Sequence, residues 1–132
     1  MRGLFVTSAT NETFKYEDSF GLLPGAEFAS LRYTNRSGRE GTRFPGLMDE
    51  AIIRRAEKYR PEIIVYIGSR WGELVNIPSL HQLRAMAPLV HLCSDAADPP
   101  WWDLLEEYDR EGVFSLQVAI DGNRSWPLEG RP

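Results

Sequence analysis

Five short apolar runs punctuate the chain: GLFVTS at 3–8, EFASLRYT at 27–34, EIIVYIGS at 62–69, PLVHLCSD at 88–95 and VFSLQVAID at 113–121. The third and fourth are apolar at consecutive positions, as central strands covered on both faces require. The second alternates apolar and polar residues, which predicts a half-buried strand at a sheet edge. Between the runs lie segments of helical period. Leu47, Met48, Ala51, Ile52, Ala56 and Tyr59 predict a helix from Pro45 to about Arg60, with Asp49 and Glu50 near its start and Arg54, Arg55, Lys58 and Arg60 toward its end. That charge order complements the helix dipole. Leu80, Leu83 and Met86 predict a second helix over 78–86, and Trp101, Leu104, Leu105 and Tyr108 a third from Pro99 to about Glu111. In 11–25, Phe14, Phe20 and Leu23 are compatible with one face of a short helix closed by Pro24 and Gly25. NRSGREGTR at 35–43 has the polar, glycine-containing character of a surface loop.

Strands alternating with helices predict right-handed βαβ crossovers and an α/β fold. The expected architecture is a three-layer Rossmann-like or flavodoxin-like domain with a parallel sheet of about five strands. The pattern leaves strand order open.

With 132 residues the chain suits one domain, expected over 1–124, with 125–132 as the start of a linker or tail. A net charge of −4 gives no global footprint for nucleic acid. The lone Cys93 forms no internal disulfide and fits a reducing compartment, so a cytoplasmic location is expected. No stretch approaches the roughly 20 apolar residues of a membrane-spanning helix.

Open α/β sheets bind ligands beyond the carboxyl ends of their strands, near the point where strand order reverses. Four loops are therefore candidates: 7–13, 68–76, 94–100 and 121–127. The first carries Thr7 and Ser8, small polar residues that either hold a ligand oxyanion or simply form a loop. It contains neither G-x-G-x-x-G nor G-x-x-x-x-G-K-[ST], so no nucleotide phosphate cradle and no resident cofactor are expected. A receiver domain would need an acidic cluster after the first strand, an Asp ending the third and a Lys ending the fifth. The chain has Thr7–Ser8, Gly68–Ser69 and Asp121 there.

In the second loop, Arg70 and Trp71 sit between Gly68 and Gly72, either gripping a sugar or base or returning the indole to the core. In the third, Asp98 precedes two prolines, where a helix cap accounts for it, although it could also bind a sugar hydroxyl. Asp95 has no such structural role and is the candidate general base. Asn123 is the polar candidate of the fourth loop. His91, inside an apolar run, reads as a core histidine, and His81 lies on a helix away from any ligand spacing; no metal site is expected. Ser69, Ser94 and Cys93 lack a positioned histidine or a nucleophile elbow.

The block KYRPEIIVYIGSRWGELVNIPSLHQLRAMAPLVHLCSDAADPPWW (58–102) resembles the N-terminal half of bacterial GT-B-type glycosyltransferases, as do GLFVTSA and VFSLQVAIDGN at either end. The resemblance lies in the order of strand, short loop, helix and acidic strand end. It implies two Rossmann-like domains facing across a cleft, of which this chain is the acceptor-side one. The expected partners are a sugar acceptor, a C-terminal donor-binding domain of the same polypeptide beyond WPLEGRP, and a nucleotide sugar held through that domain. The donor half and its characteristic acidic and basic residues are missing from these 132 residues, so the chain is expected to fold without catalysing transfer. The contrasting expectation is a stand-alone flavodoxin-like ligand-binding or regulatory module without catalysis.

Overall fold

A computed structural model describes residues 1–8, 19–38, 41–68, 73–93 and 99–119. Its main sheet contains β1 (Arg2–Ser8), β2 (Glu27–Tyr33), β5 (Ile63–Ile67), β6 (Leu89–Cys93) and β7 (Leu116–Ala119), in the order β2-β1-β5-β6-β7. Every pairing is parallel. The expected α/β class and parallel five-stranded sheet are present, and among the described residues the half-buried second run is an edge strand. Counting the sheet strands alone, the order is the flavodoxin-like 2-1-3-4-5.

The β2-to-β5, β5-to-β6 and β6-to-β7 crossovers all advance across the sheet in one direction. Right-handedness puts their helices on one face. These are α1 (Asp49–Tyr59), α2 (Ile77–Met86) and α3 (Pro99–Arg110). Ile52, Ile53 and Ala56 of α1, Leu80 and Leu83 of α2, and Leu104 and Tyr108 of α3 share one core with Leu4, Val6, Ile64, Tyr66 and Leu89 of the strands. The β1-to-β2 step runs the opposite way across the sheet, and the described residues before β2 lie against the opposite face. Its described part is helical at 19–21 and packs Phe20 on that side with Phe5, Val65, Ile67 and Leu92.

The second face is closed near β1 by three rings: Phe5, Phe20 and Phe28 lie with centroids 5.1–5.3 Å apart. Gly3 makes that cluster possible. A Cβ on Gly3 would lie 2.0 Å from the Phe28 ring, so the aromatic occupies the space of the missing side chain.

Three sequence expectations need correction. The first helix begins at Asp49 rather than Pro45, because residues 45–48 form turns. Its buried stripe is Ile52, Ile53 and Ala56, whereas Ala51 and Leu47 are exposed. Leu23 does not share a face with Phe20; it is 47% exposed. The polar segment after β2 is not only a loop: β3 (Arg36–Ser37) and β4 (Thr42–Arg43) pair antiparallel. On α3, Trp102 is buried beside Cys93 and Leu105, while the side chain of Trp101, expected on the core face, lies outside what is described. None of the described helices is long and apolar enough to cross a membrane.

Candidate ligand site at the carboxyl rim

The connections diverge between β1 and β5, making the rim above Ser8 and Gly68 the topological switch point. Thr7 and Ser8 both reach this rim, and both are fully buried. The Ser8 hydroxyl donates to Glu73 Oε2 at 3.5 Å rather than facing solvent.

Glu73 is the organising group. Its side chain is 0% exposed, a position a carboxylate tolerates only with several donors around it. The Asn35 backbone N–H donates to Oε2 at 3.0 Å, and Arg36 Nε lies 3.7 Å from Oε1. The Tyr33 hydroxyl donates to the Glu73 carbonyl. One residue of the loop after β5 thus holds the ends of β1 and β2.

Asn35 extends the tie. Its Nδ2 donates to the Leu74 carbonyl at 3.3 Å, and its Oδ1 accepts from Met48 N at 3.1 Å, just before α1. Its own carbonyl accepts from Phe44 N at 2.8 Å, anchoring the chain that leaves β4. Asp49, the first residue of α1, accepts from Asn76 N at 3.1 Å before α2 begins. Four loops are locked together by polar groups that strands and helices cannot satisfy on their own.

Two tyrosines support this network from below. Val75 N donates to the Tyr66 hydroxyl at 3.0 Å, and Tyr66 is hydrogen-bonded in turn to Tyr33. Burial, which penalises phenolate, pushes both hydroxyls well above the ordinary tyrosine value. They act as neutral donors and acceptors. Gly68 lets the loop fold back over the strand end: a Cβ there would lie 2.5 Å from Leu74 Cδ2 and 2.8 Å from the Tyr66 hydroxyl.

The groups offered to solvent differ from those that hold the rim. Arg36 is 41% exposed, Phe44 48% and Leu47 47%, placing a guanidinium, a ring and an aliphatic side chain around buried Asn35. Next to the rim, between the 74–78 segment and α3, lies a cavity of about 360 Å³ lined by Pro45, Val75, Pro78, Leu104, Glu107 and Tyr108 among others. That volume falls within the range of small-molecule pockets.

Of the sequence candidates, the structure brings Thr7 and Ser8 to the switch point. Arg70, Trp71, Asp95, Asp98 and Asn123 lie outside the described residues. Glu73, Asn35 and Arg36 were missed. Glu73 ends the strip GSRWGE, where a lone glutamate reads as a solvated loop charge; its burial follows from contacts with residues about 40 positions away. Among the described residues, no group of three or more His, Cys, Asp or Glu is arranged to hold a metal ion. His91 is a core residue, 0% exposed.

Neither a protein-family model nor a curated protein sequence matches the chain.

Proposed function

We propose that this chain is a ligand-binding α/β domain whose carboxyl rim receives a hydroxylated small molecule and, in its specific form, the acceptor-side domain of a nucleotide-sugar-dependent glycosyltransferase. The observation that carries the reading is the switch point itself, where buried Glu73, Asn35 and Asp49 tie four loops together and Arg36 and Phe44 stay exposed at the rim. A cation with a flat ring suits a sugar: the guanidinium donates to hydroxyls and the ring takes the apolar C–H face. A preorganised rim lowers the ordering cost of gripping such a ligand. Asp95 remains the proposed general base, and Arg70, Trp71, Asp98 and Asn123 the further acceptor-side residues; Thr7 and Ser8, both buried, support the rim from beneath. Donor nucleotide binding and transfer are assigned to a C-terminal domain of the same polypeptide, since proximity of both substrates supplies much of a transferase's rate.

A second reading, the stand-alone flavodoxin-like module, is favoured by one observation. Among the described residues the sheet ends at β2, so the order is 2-1-3-4-5 and not the 3-2-1-4-5-6 of dinucleotide-binding Rossmann domains.

The test is a titration of the isotopically labelled chain with methyl glycosides and, separately, with UDP-glucose and GDP-mannose, followed by amide shifts. Glycoside-induced shifts at Asn35, Arg36 and Phe44 without micromolar nucleotide-sugar binding are expected. Micromolar binding of either nucleotide sugar would make the chain a nucleotide-binding protein in its own right. Undisturbed rim amides at saturating glycoside would remove the sugar reading altogether.

A further inference from the structure

The opposite edge of the sheet carries a second surface, independent of the rim. β7 pairs with β6 along one side, from Val90↔Leu116 to Cys93↔Ala119. Among the described residues its other side has no strand partner. Open edges invite pairing, and proteins usually blunt them with lysine, proline or an inward charge. Residues 113–119, VFSLQVA, contain none of these, and Leu116 is 56% exposed. The β2 edge, by contrast, carries Glu27 and Arg32.

A cavity of about 450 Å³ runs beside this edge, between β7 and α3. It is lined by Trp102, Leu105, Glu106 and Asp109 of α3 and by Gln117 and Ala119 of β7, among others. Glu106 and Asp109 give the α3 wall two carboxylates, with Glu106 Oε1 also accepting from Trp102 Nε1. The Gln117 amide is already committed, with Nε2 donating to the Leu105 carbonyl and Oε1 facing His91.

We propose that β7 and this groove form a docking site for an extended peptide segment in which cationic residues alternate with apolar ones. The segment adds to the sheet as a sixth strand through main-chain hydrogen bonds, the mode known as strand addition. Side chains on its helix-facing side lie along Leu105 and Trp102 and reach Glu106 and Asp109. Lysine and arginine suit that path, with an apolar stem and a charged head. The acidic wall repels nucleic acid and anionic lipid. It also disfavours a second copy of this chain, because a two-fold pairing of β7 with β7 would bring the same carboxylates toward each other.

The test uses the whole chain and three end-blocked, fluorescein-labelled heptapeptides, read by anisotropy and amide shifts. The first alternates valine with lysine, the second replaces lysine with glutamate, and the third is the first with alternate amides N-methylated. Saturable binding of the lysine peptide alone, with shifts at 116–119, is expected. Glu106→Gln with Asp109→Asn should weaken it roughly threefold to tenfold, the effect of losing two exposed charge pairs. Leu116→Lys, at an exposed position, should abolish binding while leaving the fold intact. Equal binding of the glutamate or N-methylated peptide, no binding of the lysine peptide, or a chain that self-associates through β7 would each overturn the proposal.

Discussion

Asn35 and Glu73 lie 38 residues apart in the chain, yet the Asn35 amide donates to the Glu73 carboxylate at 3.0 Å inside the fold. That contact joins the end of the β2 edge to the loop above the sheet's centre.

Replacing Glu73 with Ala should destabilise the domain by roughly 2–3 kcal/mol, the scale for stranding a buried donor that had a charged acceptor. Glu73→Gln, which keeps an acceptor oxygen, should cost less. Urea melts of both variants measure the difference. Equal cost would mean that the charge, rather than the hydrogen bond, holds the rim.

Removing the Tyr33 hydroxyl leaves the Glu73 carbonyl without that donor and takes an acceptor from Tyr66. Tyr33→Phe is expected to lose about 1–2 kcal/mol. Hydrogen exchange should accelerate at Val75 and Asn35 before it does so in the β5 core. Uniform acceleration across the sheet would contradict a local tie.

The buried imidazole of His91 gives a pH dependence of definite sign. Gln117 Nε2 donates to the Leu105 carbonyl at 3.0 Å, which turns Oε1 toward His91; Nδ1 therefore carries the imidazole hydrogen. Burial lowers the group from its ordinary 6.5 to about 4, against a smaller opposing effect of the Gln117 hydrogen bond. Between those values the unfolded chain holds the extra proton and the folded chain does not. Stability contributed by this residue should therefore fall as pH drops from about 6.5 to about 4, and no further below that. The full loss is roughly 3 kcal/mol at 1.36 kcal/mol per pH unit. Thermal melts across that range should show a shallower slope in His91→Phe; an unchanged slope would locate the dependence elsewhere.

Gly3→Ala tests the aromatic cluster on the second face. The new methyl would displace the Phe28 ring, costing about 1–3 kcal/mol as an overpacking substitution. The double variant with Phe28→Leu should recover part of that loss in a denaturant cycle. Strict additivity would show that the ring and the glycine are uncoupled.

Local sequence determined the elements. Consecutive apolar residues in IIVYI and LVHLC meant burial on both faces, and both segments are central strands. Alternation in EFASLRY meant an edge, and β2 is one. These features were readable because side-chain period follows from backbone geometry, which needs no distant partner. Even so, the pattern misplaced the start of α1: the run from Pro45 to Met48 keeps helical spacing, but its turns bring Met48 to Asn35 and Leu47 to solvent. The β3–β4 pairing was equally hidden, since two-residue strands carry no period.

Only the tertiary structure decided the site. Ser8, Tyr33, Asn35, Arg36 and Glu73 come from three separate segments, and nothing local marks Glu73 as buried or Arg36 as its partner. Whether a polar residue is buried depends on which loops the strand order brings together, and that order arises from packing whole elements with one handedness. Chain pattern therefore specified what β1, β2 and β5 are, whereas placing β1 between β2 and β5 created the rim.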